Sequence, residues 1–469
     1  MSSTFGSLNI AVSALWAQRA AMDVTGQNVA NANTDGYSRQ RVEMQAIGGS
    51  PVPAMHSYSN GIGTGVRVDS ITRIRDMFLE GRAQTETGNL AVLNAKDATL
   101  GNIEVAFGEP GSSGLQSVLS TYWSGWDAIA NSPGDLPSRS QMLVRAGGVV
   151  DTLKGVSTSL DALWSANRVQ LDASVMDVNA TAAAVADLNQ AIGRASQSGL
   201  PSGDLADQRD LLIMNLSNAV GATTRPGQDG TVDVYVGGNA LVRGATVEKL
   251  RVDGATLPDL AAGDPARVTW ARDGSPSGAG GMVGGELDAL NVSIPTYQAK
   301  LDAVAANIAS RVNSLHVAGF DLNGNAGKAV FAGGPPITAA NISVAITDPR
   351  EVAAAKVATT PPAKPSLDGD LADAIAQIRS GDNSPDAVYR QTVVDLAVQK
   401  QGAGRAVIIQ SAITSQVNHS RESISGVNID EEMVNMVAFQ HAYEAAARLL
   451  TAIDETLDTL INRTGIVGR

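Results

Sequence analysis

Residues 5–37 read FGSLNIAVSALWAQRAAMDVTGQNVANANTDGY. Phe5, Leu8, Val12, Leu15, Met22 and Val29 fall on one heptad seam, which Arg19 and Gly26 interrupt. An apolar repeat of that period marks a helix that packs along another helix. The helix is a poor one alone. Gly26, Asn28, Asn31 and Asn33 have weak propensity, and an isolated helix of this length is marginal in water, so the segment is expected to order only against a partner. The far end of the chain offers one. Met433, Met436, Tyr443, Ala447, Leu450, Leu457 and Ile461 trace a second seam, with Gln440 and Asp454 at seam positions. Asn428 can cap that helix, Glu431 can close a capping box with it, and Asp430 and Glu432 suit the positive end of its dipole. The two stripes can meet as a parallel or antiparallel pair that closes the chain on itself. The plainer alternative makes them terminal helices of a compact globule.

Between the ends the periodicity changes several times. A strand is expected over Arg41 to Ile47, a Gly/Pro/Ser-rich loop over Gly48 to Gly65, a second strand over Val66 to Ile74 and a helix from about Asp76 to Gly108. Pro137 and Pro201 bracket a proline-free stretch in which Leu153, Val156, Leu160, Leu163, Leu171, Val175, Val178, Ala182, Val185 and Ile192 keep helical spacing. This reads as one long helix or a broken pair. Composition shifts at Gly221. Val232, Val234 and Val236 alternate, Gly237-Gly238-Asn239 supplies a turn, and Val268 to Trp270 is a further short strand. Helical spacing resumes at Leu287, Leu290, Leu301, Val304, Ile308, Val312 and Leu315, where Pro295 should kink or restart the helix. A Gly/Pro-rich region, 319–365, holds one strand candidate, Ile342 to Ile346, and two helices follow over 368–380 and 385–423.

The expected fold is mainly α with a β insertion, an elongated multi-domain chain. Residues 1–37 and 425–469 form a paired terminal domain, 38–220 and 286–424 a long-helix bundle carrying the 41–74 hairpin and loop, and 221–285 a small β-rich outer insertion. Whether the irregular 319–365 joins that insertion is left open. A chain of 469 residues predicts two to four domains. Aromatics are only 4% of it, so its cores are built from Ala, Val, Leu and Ile. A net charge of −13 argues against nucleic acid or an anionic membrane as main partner, since both need a basic face. The absence of cysteine excludes disulfides, thiolate metal sites and cysteine nucleophiles. No apolar run is long enough to insert in a membrane as a helix, and Met1 to Arg19 lacks the layout of a secretory signal peptide. That leaves a cytoplasmic protein, or one exported by a machine that reads another signal.

No constellation for chemistry emerges, and catalytic, cofactor-binding and metal-binding residues are all expected to be none. Gly61-x-Gly63-x-Gly65 is followed by strand rather than helix, which rules out the dinucleotide fingerprint. Asp321-x-Asn323-Gly324-Asn325 echoes a calcium loop with its glycine misplaced and no closing acid, so a turn is expected. The histidines at 56, 316, 419 and 441 have no metal-ligand spacing, and His316 and His441 read as packed or surface residues.

Met22 to Tyr37, with its Asn28-x-x-Asn31-x-Asn33 core followed by Gly36 and Tyr37, resembles the signature of the flagellar axial family of rod, hook and hook-associated proteins. The asparagines can end a helix by bonding local backbone, Gly36 permits φ > 0, and Tyr37 is expected to anchor the turn on the next domain. Ser38-Arg39-Gln40 is similar to the hook-associated members more than to rod or hook proteins. So are Asp207-Gln208-Arg209-Asp210-Leu211-Leu212, Gly284-Gly285-Glu286-Leu287 leading to Asn313 through Gly324, and Ser425 through Glu432 with Phe439-Gln440 and Leu460-Ile461-Asn462. The resemblance implies a structural subunit at the hook–filament junction, located outside the cell and exported through the flagellar type III apparatus without a cleaved signal peptide. It implies self-association in a helical ring, with hook protein below and a second junction protein above. It also implies terminal helices that stay disordered until they form a coiled-coil inner tube, and an export chaperone on the C-terminal helix. Leu8, Val12, Leu15, Met22 and Val29 would then be the N-terminal assembly seam. Met433, Met436, Tyr443, Leu450, Leu457 and Ile461 would be the seam for assembly and chaperone binding. The loop Gly48 to Gly65 would reach an axial neighbour on the hook side. The alternatives are another axial subunit, from hook or distal rod, and a secreted adhesin or enzyme using axial-type ends.

Overall fold

The computed structural model describes residues 4–48, 63–357 and 367–463. Residues 50–62, most of the loop assigned a hook-side role, and part of 319–365 lie outside them. The chain opens with α1 (Thr4–Ala30), followed by the antiparallel hairpin β1 (Gln40–Ile47) and β2 (Gly65–Arg73). Three helices come next: α2 (Met77–Phe107), α3 (Leu115–Asn131) and α4 (Leu136–Gln197). Of the two options for the proline-free stretch the structure takes the single helix, and α4 runs unbroken for 62 residues. After α5 (Gly203–Val220) comes an antiparallel meander of β3 (Thr223–Pro226), β4 (Val232–Val236), β5 (Asn239–Arg243) and β6 (Thr246–Val247). Gly237 and Gly238 both have positive φ in the two-residue turn joining β4 to β5, the backbone a tight hairpin demands. A second hairpin pairs β7 (Leu250–Asp253) with β8 (Arg267–Trp270).

The helix restart expected at Pro295 has a definite form. α6 (Gly281–Asp288) passes through a π-turn at Ala289–Ser293 into α7 (Ile294–Val317), with the proline in the first turn of the new segment. Widening the helix just ahead of a proline relieves the clash between its ring and the preceding turn. The strand expected over 342–346 shrinks to a two-residue pair, β9 (Phe331–Ala332) with β10 (Ser343–Val344). Helices α8 (Asp370–Ala376), α9 (Pro385–Ser425) and α10 (Ile429–Asp458) close the described chain.

Contacts divide the molecule differently from the three-part expectation. One unit comprises residues 1–87, 179–248 and 412–469, and the other 88–178 and 249–411. The β meander thus falls with the termini and the β7–β8 hairpin with the helical unit, because each packs on a different part of the helical scaffold. In the first unit Val234, Val236, Leu241 and Val242 of the meander are buried, as are Val185 and Ile192 of α4 and Ile213, Leu216 and Val220 of α5. The second unit is a helix bundle around most of the chain's aromatics. Phe107 stands edge-on to Tyr297 and stacks on Tyr389, Tyr122 packs against Trp123 and Trp126, and Trp164 donates its indole N–H to the Leu290 carbonyl at 3.0 Å.

Candidate assembly site at the paired termini

α1 packs along α10. Its buried residues are Ala11, Ala17, Ala21, Val24, Thr25 and Asn28, a face turned from the expected seam. Leu8, Val12, Leu15, Met22 and Val29 lie at its margin, each half-buried. Small side chains take the centre because α1 also lies against the hairpin. There Ser13 Oγ accepts the Val66 N–H at 3.2 Å, and a Cβ on Gly65 would fall 2.2 Å from that oxygen. On α10, Glu432 and Ile453 are buried and Met436, Leu450 and Leu457 half-buried, whereas Met433, Tyr443 and Ile461 are exposed. Val434, Val437, Leu449 and Leu460 extend that exposed apolar surface, and Trp16 of α1 is 67% exposed. The pairing therefore leaves a broad apolar stripe of α10 uncovered in the single chain.

Asn28 is the hub of the signature. Its Oδ1 accepts the Tyr37 hydroxyl at 2.9 Å and the Gln40 N–H at 3.0 Å. Its Nδ2 donates to the Gln40 carbonyl at 2.9 Å and to Glu432 Oε2 at 3.0 Å. Two lone pairs and two N–H bonds are the full capacity of a side-chain amide, and all four are used. Asn31 ends α1 by donating to the Gln27 carbonyl at 3.0 Å, while Asn33 is exposed on the turn. Gly36 has φ +80°, the left-handed backbone that lets the chain double back beside Leu211. The Tyr37 hydroxyl points back to α1 rather than forward to the next domain, because Asn28 offers it a buried acceptor. Burial first, then the charges of Asp204, Asp207 and Glu432, push the Tyr37 phenol up to about 12.

The next three residues tie this turn to distant parts of the sequence. The Ser38 N–H donates to Asp207 Oδ2 at 3.1 Å, and Gln40 Nε2 to Asp204 Oδ1 at 3.3 Å. Arg39 spans the break between α9 and α10. Its N–H donates to the Ser425 carbonyl at 2.9 Å, and its guanidinium to Glu432 Oε1 at 2.7 Å and Glu431 Oε2 at 2.9 Å. The capping box expected at Asn428 is accordingly half formed. Asn428 Oδ1 accepts the Asp430 and Glu431 N–H groups, but the Glu431 carboxylate goes to the guanidinium, a stronger partner than a backbone N–H. Beneath lies a second ionic layer. Arg73 bridges Asp207 and Asp210 at 2.8 Å each, Arg75 pairs with Asp210 and Glu80, and Arg209 pairs with Asp210 at 2.9 Å. Burial alone would raise the Asp210 carboxyl, but Arg209, Arg75 and Arg73 hold it below the usual carboxylate range.

Thus Ser38-Arg39-Gln40 and Asp207 through Asp210, singled out in sequence only by resemblance, meet Asp430 through Glu432, read there also as the capped first turn of α10, in one polar cluster. The roles of Glu432, Asp204, Arg73 and Arg75 had no sequence signal, since long-range ion pairs leave no local spacing. The buried Ala17 and Ala21, four residues apart, could have been read as a small-residue face.

Family models match three segments. One described as "Flagella basal body rod protein" covers 8–37, one described as "Flagellar hook-associated protein FlgK helical domain" covers 100–331, and one described as "Flagellar basal body rod FlgEFG protein C-terminal" covers 421–463. Flagellar hook-associated protein 1 of Bacillus subtilis (strain 168) is 30% identical, with all of each chain covered. The chain belongs to the flagellar hook-associated protein 1 family. The hook-associated protein 1 of Escherichia coli (strain K12) is 25% identical over 97% of this chain and 99% of its own. The solved hook junction protein FlgK from Burkholderia pseudomallei shares the fold, with a TM-score of 0.62 at 16% identity over 75% of this chain and all of that one. As a member of the hook-associated protein 1 family the chain is a structural axial subunit of the bacterial flagellum at the hook–filament junction. The rod-type matches fall on α1 with its turn and on α10, and the FlgK match on the helices between.

Proposed function

We propose that the chain crosses the flagellar type III apparatus unfolded, without a cleaved signal peptide, and is then built into a helical ring by its terminal helix pair. The observation that carries this reading is the uncovered stripe of α10, Met433, Val434, Val437, Tyr443 and Leu449, on a helix whose opposite face is already packed against α1. Burying each such large side chain is worth about 1.5–3 kcal/mol. In the ring the stripe meets neighbouring copies and the pair lines the inner tube as a coiled coil. Leu8, Val12, Leu15, Met22 and Val29 on one helix, and Met433, Met436, Tyr443, Leu450, Leu457 and Ile461 on the other, are the contact residues. Hook protein lies below and a second junction protein above, an export chaperone covers the same α10 stripe before secretion, and the chain carries out no catalysis.

Deleting the encoding gene and viewing the cells by electron microscopy tests the role. The expected outcome is hooks without filaments, with flagellin shed into the medium. Cells lacking hooks would make this a rod or hook subunit, and normal motile filaments would overturn the junction role.

A further inference from the structure

The face that α1 offers to α10 is a weak ruler. Ala11, Ala17 and Ala21 are half of the buried residues described on α1, beside Val24, Thr25 and Asn28, and alanines present nearly the same shape after a one-turn slip of about 5.4 Å. Apolar packing therefore closes the pair without deciding which turn of α10 faces which turn of α1. A single buried polar contact in such a seam decides it, because every other register strands the polar groups without partners. One is present. Glu432 is 2% exposed, with Oε1 held by Arg39 and Oε2 by Asn28. Sliding α10 by one turn would bring Met436 against Asn28 Nδ2 and the Arg39 guanidinium, leaving both short of an acceptor.

Two further observations bear on Arg39. It is fixed from behind, since its own N–H is bonded to Ser425, the last residue of α9. It also lies just beyond the segment matched by the rod-protein model, which ends at Tyr37. Its neighbours Ser38 and Gln40 reach Asp207 and Asp204 of α5, inside the segment matched by the hook-associated helical domain. The tripeptide thus joins ends of general axial type to the helical part that marks this family.

We propose that Ser38-Arg39-Gln40, closing on Glu432, is the register-determining lock of the terminal helix pair. It fixes α10 against α1 and fastens both to α5, so that each copy presents its uncovered stripe at one set height. This deepens the reading of the termini as the assembling element and rests on it.

The chain has no cysteine, so two engineered thiols are the only ones present. Val24 and Asn435 line one small cavity with Glu432, and Ala442 lies two turns further along α10. In full-length chains assembled into the ring, a short bis-maleimide should bridge Val24→Cys to Asn435→Cys within one chain about tenfold more readily than Val24→Cys to Ala442→Cys, as befits one register. Arg39→Gln, which leaves α10 and the Ser425 bond untouched, and Glu432→Leu should each cut that preference at least about fivefold. The double variant should lose little more, since both residues serve one contact. A preference unchanged in Arg39→Gln, effects that multiply in the double variant, or no bridge at Asn435→Cys with the lock intact would each overturn the proposal. The bridge is read on the chain itself, whereas the junction role is read from the gene deletion, so either can fail alone.

Discussion

Asn28 makes the same pair of backbone hydrogen bonds to Gln40 that a neighbouring strand would make, and adds Tyr37 and Glu432 to them. Replacing it with alanine strands the Gln40 N–H and carbonyl, the Tyr37 hydroxyl and one oxygen of a buried carboxylate together. Asn28→Ala should therefore destabilise the terminal pair by about 2–4 kcal/mol, the scale of leaving several buried polar groups unpaired. Amide exchange on chains assembled into the ring should show it as lost protection at Gln40 and along α1, with α3 unaffected. The residue was legible as part of a signature, but its role was not. A side-chain amide in a sequence shows what it can bond to, and only the fold supplies Gln40 and Glu432, the latter 404 residues away.

At the scale of elements, what was legible followed from periodicity. The long helix α4, the hairpin of β1 and β2 and the turn at Gly237-Gly238 were all readable because local residues specify them. The face of α1 was not, since which side of a helix is buried depends on everything packed against it, and β2 claims part of that surface. Gly285 is a similar case. It stands in a stretch noted only for resemblance, and in the fold it is where α6 meets α2, with a Cβ there 2.4 Å from Ala95 Cβ and 3.2 Å from the Val92 carbonyl oxygen. Gly285→Ala must push these helices apart and should cost about 1–3 kcal/mol, as overpacking of a tight contact does. Denaturant unfolding followed by tryptophan fluorescence should report it, because four of the five tryptophans, Trp123, Trp126, Trp164 and Trp270, belong to the same unit.

At the scale of the whole molecule, α2, α4 and α9 each contribute residues to both units. The helical unit also holds two buried titratable groups whose effects on stability oppose. Burial pushes the Glu286 carboxyl up to about 7, against a hydrogen bond from Ser174, so the folded chain keeps a proton that the unfolded chain loses above about 4.5. Its contribution falls as pH rises from 4.5 to 7. Burial pushes His316 down to about 4; its Nδ1 donates to the Lys328 carbonyl and its Nε2 accepts the Ala353 N–H at 2.7 Å. The unfolded chain protonates that imidazole below about 6.5 and the folded chain does not, so its contribution falls as pH drops from 6.5 to 4. The two slopes largely cancel between pH 4.5 and 6.5. Glu286→Gln should unmask the histidine, with stability falling by roughly 2–3 kcal/mol from pH 7 to pH 4.5 where the native chain changes little. Thermal melts by tryptophan fluorescence across that range would check it. The sequence by itself determined the helices, the β insertion and the axial character of the two ends, because helical and strand periods, turn glycines and the Asn28 to Tyr37 signature are local properties. Only the tertiary structure decided which face of α1 is buried, that Arg39 and Glu432 meet, and that Glu286 and His316 sit out of water. Burial and long-range ion pairs arise from what the rest of the chain brings alongside, and neighbouring residues do not encode that.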